Sequence, residues 1–210
     1  MRNVIVTIAR QYGSGGKTVA EMYAKKNGVP CYGRDILRMA SDESGINEAL
    51  FAQADEKLSN GSLFGISKRI YRGELLPPSS DDFTSPQNLF NYQAKVIRDL
   101  ADKGPCTFVG RCADFVLSDR MNVVSVFVHA PKDYCLEQAR LRNSMSTAEL
   151  EKFVAKTDKF RGDFYRYYTG RDWSDARNYD LCLDSSKLGF EGCVEAIEAY
   201  IGVRFKNVTA

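Results

Sequence analysis

Gly13, Ser14, Gly15, Gly16, Lys17 and Thr18 are consecutive, and residue types in that order are suited to gripping phosphate. Glycines allow positive φ, so successive main-chain N–H groups can point into one concavity. A helix that opens there adds its own unpaired N–H groups and the positive end of its dipole. In the pattern G-x-x-x-x-G-K-[ST], the lysine reaches the outer phosphates of a nucleoside triphosphate and the hydroxyl ligates Mg²⁺. Lys17 and Thr18 fill those two places, while Gln11 stands where the pattern has its first glycine. The expectation is a site for ATP and Mg²⁺, with Gly13, Ser14, Gly15, Gly16, Lys17 and Thr18 around the donor and Thr18 on the metal. The bland alternative is a glycine-rich turn that happens to precede Lys-Thr.

Further polar groups stand just after other strand-like segments. Residues 29–32 run into Tyr32-Gly33-Arg34-Asp35, and residues 106–110 into Gly110-Arg111-Cys112-Ala113-Asp114. Ligands of open α/β sheets bind beyond the carboxyl ends of the strands, so Asp35 and Arg111 are expected to face the same crevice as Lys17. An arginine after a strand can also be a surface ion pair. Arg140, Arg142, Lys156, Lys159, Arg161 and Arg166 supply further cations, read either as lid contacts or as a solvated helix face shared with Asp158 and Asp163. Phe160, Phe164, Tyr165, Tyr167, Tyr168 and Trp173 read as core and lid packing, with a base-stacking platform as the alternative. His129, the only histidine, reads as structural.

These groups need strands to place them. Strand-like segments at 3–9, 29–32, 106–110, 123–130 and 179–184 alternate with helical ones, which predicts a parallel sheet covered on both faces. The third and fourth are almost continuously apolar or β-branched and are expected near the middle of the sheet. A helix over 18–26 ends at Asn27-Gly28. Another opens with Ser85 as N-cap and Pro86 in its first position, and stops at Gly104-Pro105. Ser146 and Glu149 form a capping box for a helix reaching about residue 168, with an interruption expected at Gly162. A last amphipathic helix covers about 190–201. Residues 73–85 have the composition of an exposed, mobile connection.

The 210 residues, 44% of them hydrophobic, suffice for one substantial core, so 1–210 is expected to be a single domain. With 29 Lys+Arg against 27 Asp+Glu there is no overall basic field of the kind used for nucleic-acid binding. Six scattered cysteines lack a Cys-x-x-Cys pair and read as packed thiols, Cys112 included. Neither a signal-peptide pattern nor a membrane-length apolar run is visible, so a soluble, cytoplasmic protein that does not bind membranes is expected.

With its motifs assembled, the chain resembles the nucleoside-monophosphate kinases, most closely the cytidylate kinase-like proteins. The carriers are Arg10-Gln11-Tyr12-Gly13-Ser14-Gly15-Gly16, residues 32–35, Val109-Gly110-Arg111-Cys112-Ala113-Asp114, Val128-His129-Ala130-Pro131, Asp158-x-x-Arg161, Tyr167-Tyr168-Thr169-Gly170 with Trp173, and Tyr179-Asp180-Leu181. Gln11 belongs to that group's form of the loop. The resemblance implies a three-layer α/β P-loop kinase core with a five-stranded parallel sheet of order 2-3-1-4-5, an acceptor-binding insertion at 36–85 and a helical lid at 140–172. It also implies ATP and Mg²⁺ as cofactors and a small nucleotide, CMP or dCMP, as acceptor. Lys17, Arg111, Arg161 and Asp35 are the catalytic candidates. Asp35, Arg111, Arg140 and Lys159 are the substrate-binding candidates, with Arg111 on the acceptor phosphate. Val109 departs from cytidylate kinases, which carry an acidic residue before that Gly-Arg pair. A kinase for another small acceptor and a nucleotide sensor without transfer are the alternatives.

Overall fold

Alternation at period two along the first strand divides its side chains between two cores. In a computed structural model, which describes residues 3–59, 71 and 73–206, that strand is β1 (Ile5–Arg10). Val4, Val6 and Ile8 face one apolar cluster and Ile5 the other. Four more strands complete the sheet: β2 (Cys31–Tyr32), β3 (Thr107–Val109), β4 (Val123–His129) and β5 (Leu181–Asp184). All pair in parallel, in the order β2-β3-β1-β4-β5, as the resemblance implies. β1 and β3 hold interior places, and so does β4, which explains the unbroken apolar character of the last two.

One face is covered by α1 (Gly16–Asn27) and α8 (Ser185–Arg204). Val19, Ala20 and Tyr23 of the first and Cys193, Val194 and Ile197 of the second pack on Val6, Ile8, Val124 and Val126. The other face carries α2 (Asp35–Ser44), α3 (Glu48–Ser59), α4 (Pro86–Asp102), α5 (Ala113–Val116) and the carboxyl half of α7 (Thr147–Thr169). There Phe90 stacks on Tyr168, ring centroids 3.9 Å apart, and Phe164 meets both rings edge-on. The aromatic series is therefore packing. The short α6 (Lys132–Arg140) lies against the amino half of α7 through Leu136, Ala139, Leu150 and Val154, a small cluster separate from the main cores.

Local signals account for the boundaries. Ser85 accepts the Asn88 N–H and Pro86 opens α4; the Ser146/Glu149 box opens α7; Gly28 ends α1 at φ 64°. Residues 73–85 form neither helix nor strand and are mostly exposed, with buried Asn88 bonding Leu76 N–H at 2.9 Å and Phe83 C=O at 2.8 Å through its carboxamide. One expectation needs correction. Gly162 does not interrupt α7, which runs through it unbroken because the apolar side chains on either side keep the helical period. The insertion at 36–85 includes residues 60–70 and 72, which lie outside the described ones. Among the described residues no helix is long and apolar enough to cross a membrane.

A Cβ added at Gly162 meets nothing closer than Trp173 Cε3 at 4.0 Å. Gly162→Ala is expected to stabilise the protein by about 0.5–1 kcal/mol, through helix propensity and a less flexible unfolded chain. Equilibrium urea unfolding checks it, and a destabilised variant would show that α7 needs a glycine there.

Candidate active site

The chain between β1 and α1 turns through Gly13 at φ 83° and Gly15 at φ 77°. No side chain fits at either: a Cβ on Gly13 runs into the main chain of Cys135 in α6, and one on Gly15 into the ring of Phe190 in α8. The carbonyls of Gln11, Ser14 and Gly15 in this loop are engaged by the protein. Ser14 Oγ lies 2.9 Å from both Gln11 C=O and Val128 C=O, which share its one proton, and Ser185 Oγ donates to Ser14 C=O at 2.7 Å. Gln11 Oε1 accepts the Ala130 N–H at 3.1 Å, fastening the loop to the end of β4. By contrast, among the described residues the N–H groups of Gly13, Gly15, Gly16, Lys17 and Thr18 find no main-chain acceptor. Open amides at a helix N-terminus make a phosphate cradle.

A cleft of about 140 Å³ opens onto these amides, lined among others by Arg10, Gly13, Gly16, Lys17, Arg142 and Arg161. Lys17 is 70% exposed and 3.4 Å from Glu21, a loose pair that leaves it able to reach across the opening. Arg142, in the turn after α6, donates to Thr18 Oγ1 at 3.2 Å. The donor set suits Mg²⁺ held jointly with phosphates: Thr18 offers one hard oxygen, and among the described residues no group of three acidic, His or Cys side chains forms a metal site of its own.

Across the sheet edge, Gly110, Arg111 and Cys112 are all left-handed, at φ 72°, 59° and 53°. Two successive non-glycine residues there cost about 1–2 kcal/mol each. This turn sends Arg111 inward, where it pairs with Asp55 of α3 at 2.6 Å and approaches Gln93 of α4 at 3.4 Å, with both ions only about one-sixth exposed (15% and 16%). Cys112 is buried, which pushes its thiol well above the ordinary range and makes it a packed group. Asp35 starts α2 and accepts the Gly33 N–H at 2.5 Å. Its charge and that of Lys17 both reach the Cys31 thiol, which burial first and then Glu21 and Asp35 push up to about 11. Asp35, Lys17 and Arg111 thus share the carboxyl edge of β1, β2 and β3.

Three residues at the centre stand outside the expected site residues: Arg10, Asp158 and Asp55. Arg10 closes β1. Its stem lies against Gly16 and its guanidinium against Gly110, where a Cβ would collide with it. Burial, then Arg161, then Arg111 lower its pKa to about 9, and Asp158 opposes them. Asp158 accepts the Tyr12 N–H at 2.7 Å and the Arg161 guanidinium at 3.1 Å. Burial raises its carboxyl, and Arg161 is the largest influence in the other direction. Arg161 also donates to Arg10 C=O at 3.0 Å and lies over the Tyr12 ring. Behind this group Tyr165 donates to the half-buried Asp114 at 2.6 Å, joining α7 to α5. The strand-end position of Arg10, directly before the loop, was the signal available for it.

Of the cations expected in the lid, Arg161 lines the cleft. Arg140 is exposed and Lys159 pairs with Asp163, so neither lines it; Arg142 does instead. The reason is helical geometry: Lys159 and Arg161 are two residues apart and point to different faces of α7, whereas Asp158 and Arg161 share one.

A family model described as the cytidylate kinase-like family matches residues 5–187. The chain belongs to the cytidylate kinase-like family. A curated relative, the cytidylate kinase of Methanopyrus kandleri, is 23% identical over 95% of this chain and 93% of its own length. Among solved structures, an uncharacterized protein from Eubacterium ventriosum is 26% identical with a TM-score of 0.68, over 94% of this chain and 98% of that one. A gluconokinase from Sinorhizobium meliloti, 17% identical with a TM-score of 0.53 over 98% and 95% of the two chains, shares the fold. Membership makes this chain a nucleoside-monophosphate-kinase-like enzyme.

Asp158→Ala removes the partner of both Tyr12 N–H and Arg161 and is expected to destabilise the protein by about 2 kcal/mol. Lys159→Ala, which breaks an exposed pair, changes stability by less than about 0.5 kcal/mol. Denaturant unfolding of both variants checks the contrast, and equal effects would count against a central place for Asp158.

Proposed function

We propose that this enzyme transfers the γ-phosphoryl group of ATP to the phosphate of a small nucleotide, with CMP or dCMP the first acceptors to test. The observation that carries this reading is the cradle of open amides with Lys17 at its rim, at the carboxyl end of β1, with Arg111 following the neighbouring strand β3. In the reaction an acceptor phosphate oxygen attacks the γ-phosphorus, and the bond to the β–γ bridging oxygen breaks. The products are ADP and the acceptor diphosphate. Such a transfer needs position and charge stabilisation more than covalent help.

The amides of residues 13–17 hold the β-phosphate, Lys17 spans the β- and γ-oxygens, and Arg161 meets charge developing on the transferred group. Arg111 exchanges Asp55 for the acceptor phosphate, and Asp35 takes a sugar hydroxyl or orients a water. Thr18, together with the donor phosphates, would hold Mg²⁺, which would supply further neutralisation of the phosphate oxygens. Residues 36–85 form the acceptor side and 140–172 the lid, with Arg142 as its moving cation. Thr18 becomes available when Arg142 leaves it, so ordering the lid and loading the site go together.

A kinase for a different small acceptor is the second reading, favoured by Val109. That residue is 7% exposed and belongs to the core under α1 and α8, so no carboxylate is offered at the place where cytidylate kinases have one. Soluble, cytoplasmic residence accords with both readings.

ADP formation from Mg-ATP with each nucleoside monophosphate in turn checks the proposal; acceptor-dependent turnover is expected, and ATP binding without turnover would leave a sensor. Lys17→Ala is expected to lower kcat/KM about 10²–10³-fold. Arg111→Ala is expected to raise the acceptor KM about 10–100-fold while ATP affinity stays within about twofold.

A further inference from the structure

Arg10 is a half-buried cation on the last residue of a central strand, between the two halves of the site. Its Cβ and Cγ lie over Gly16 of the donor loop, and its Nη1 lies over Gly110 of the acceptor loop. Arg161 and Arg111 both act on it with the same sign of charge. Of the nearby carboxylates, Asp158 is bonded to Arg161 and Tyr12, and Asp55 to Arg111. Among the described residues none forms an ion pair with Arg10 itself. A guanidinium lined up in this way, facing a cleft bordered by open amides, is complementary to an anion that the protein does not provide.

Gly110 is part of the same arrangement. Its positive φ makes the turn that aims Arg111, and its missing side chain leaves the space that the Arg10 guanidinium fills. Gly16 does the same for the stem of Arg10. Two glycines from separate loops therefore set the depth of one arginine.

We infer that Arg10 is a catalytic residue that binds the γ-phosphoryl group in flight, contacting its oxygens from the strand side between Lys17 and Arg111. This rests on the kinase reading and adds a residue to it. Because the contact is with the group being transferred, it strengthens as charge spreads over the transferred oxygens. It is made with ATP and absent with ADP.

The test compares binding of Mg-ADP and of a non-hydrolysable ATP analogue with an imido β–γ bridge, by calorimetry, in wild type, Arg10→Gln and Arg10→Lys, together with kcat on the best acceptor of the panel. The inference expects Arg10→Gln to bind ADP within about twofold of wild type, to bind the ATP analogue about tenfold more weakly, and to lose about 10²-fold or more in kcat. Arg10→Lys keeps the stem on Gly16 and the charge; it is expected to fall the same way by a smaller factor, since an ammonium offers no planar fork. That graded loss confined to the triphosphate is not what a folding defect produces. Equal weakening of ADP and the analogue in Arg10→Lys, or unchanged kcat in either variant, overturns the role of Arg10 while leaving the kinase reading intact. A wild-type protein that binds neither nucleotide overturns both.

Discussion

Positive charge held away from water needs an anion, and the carboxyl edge of this sheet brings three guanidinium groups together around two carboxylates. Arg10 comes from β1, Arg111 from the turn after β3 and Arg161 from α7. Asp158 and Asp55 serve Arg161 and Arg111. Much of the surrounding structure follows from keeping these like charges close. Glycine at 110 makes room, left-handed backbone at Arg111 and Cys112 aims a side chain inward, and α3 and α7 each deliver one carboxylate. With both carboxylates committed to Arg161 and Arg111, the cluster keeps positive charge to offer to an anion.

The loop between β1 and α1 solves the complementary problem. A backbone segment carries as many acceptors as donors, so a surface of donors alone requires the acceptors to be occupied elsewhere. Ser14, Ser185 and the Arg161 guanidinium take the carbonyls of Gln11, Ser14 and Arg10. The hydroxyls of both serines are spent on main-chain carbonyls. Cys135 and Phe190 close off the space that side chains at Gly13 and Gly15 would need.

How much of this was legible in the sequence depends on the range over which each signal acts. The phosphate loop, the N-caps at Ser85 and Ser146 and the Gly28 stop are set by neighbours within a few residues, and they stand where the pattern puts them. The alternation of strands and helices fixes the class of sheet. Its order came from the family resemblance, because nothing local specifies which parallel strand sits beside which. Asp55 was hidden: it lies in a helix with no marker, and its importance comes from Arg111, 56 positions away in the chain. Arg140 and Lys159 were preferred over Arg142 because composition lists cations without saying on which side of a helix they emerge. Gly162 was read as a break because propensity is weak beside an aromatic face packed into the core.

α7 has its own geometric consequence. Its carboxyl half is anchored among Phe90, Phe164, Tyr165 and Tyr168, while its amino half rests on α6 through four apolar side chains of a separate cluster. One unbroken rod thus has a fixed foot and a lightly seated arm, and Asp158 and Arg161 lie near the fulcrum where the two meet. Arg142, in the turn that joins α6 to this arm, therefore stands at the far end of the rod from its foot, whereas Arg161 stands beside the pivot.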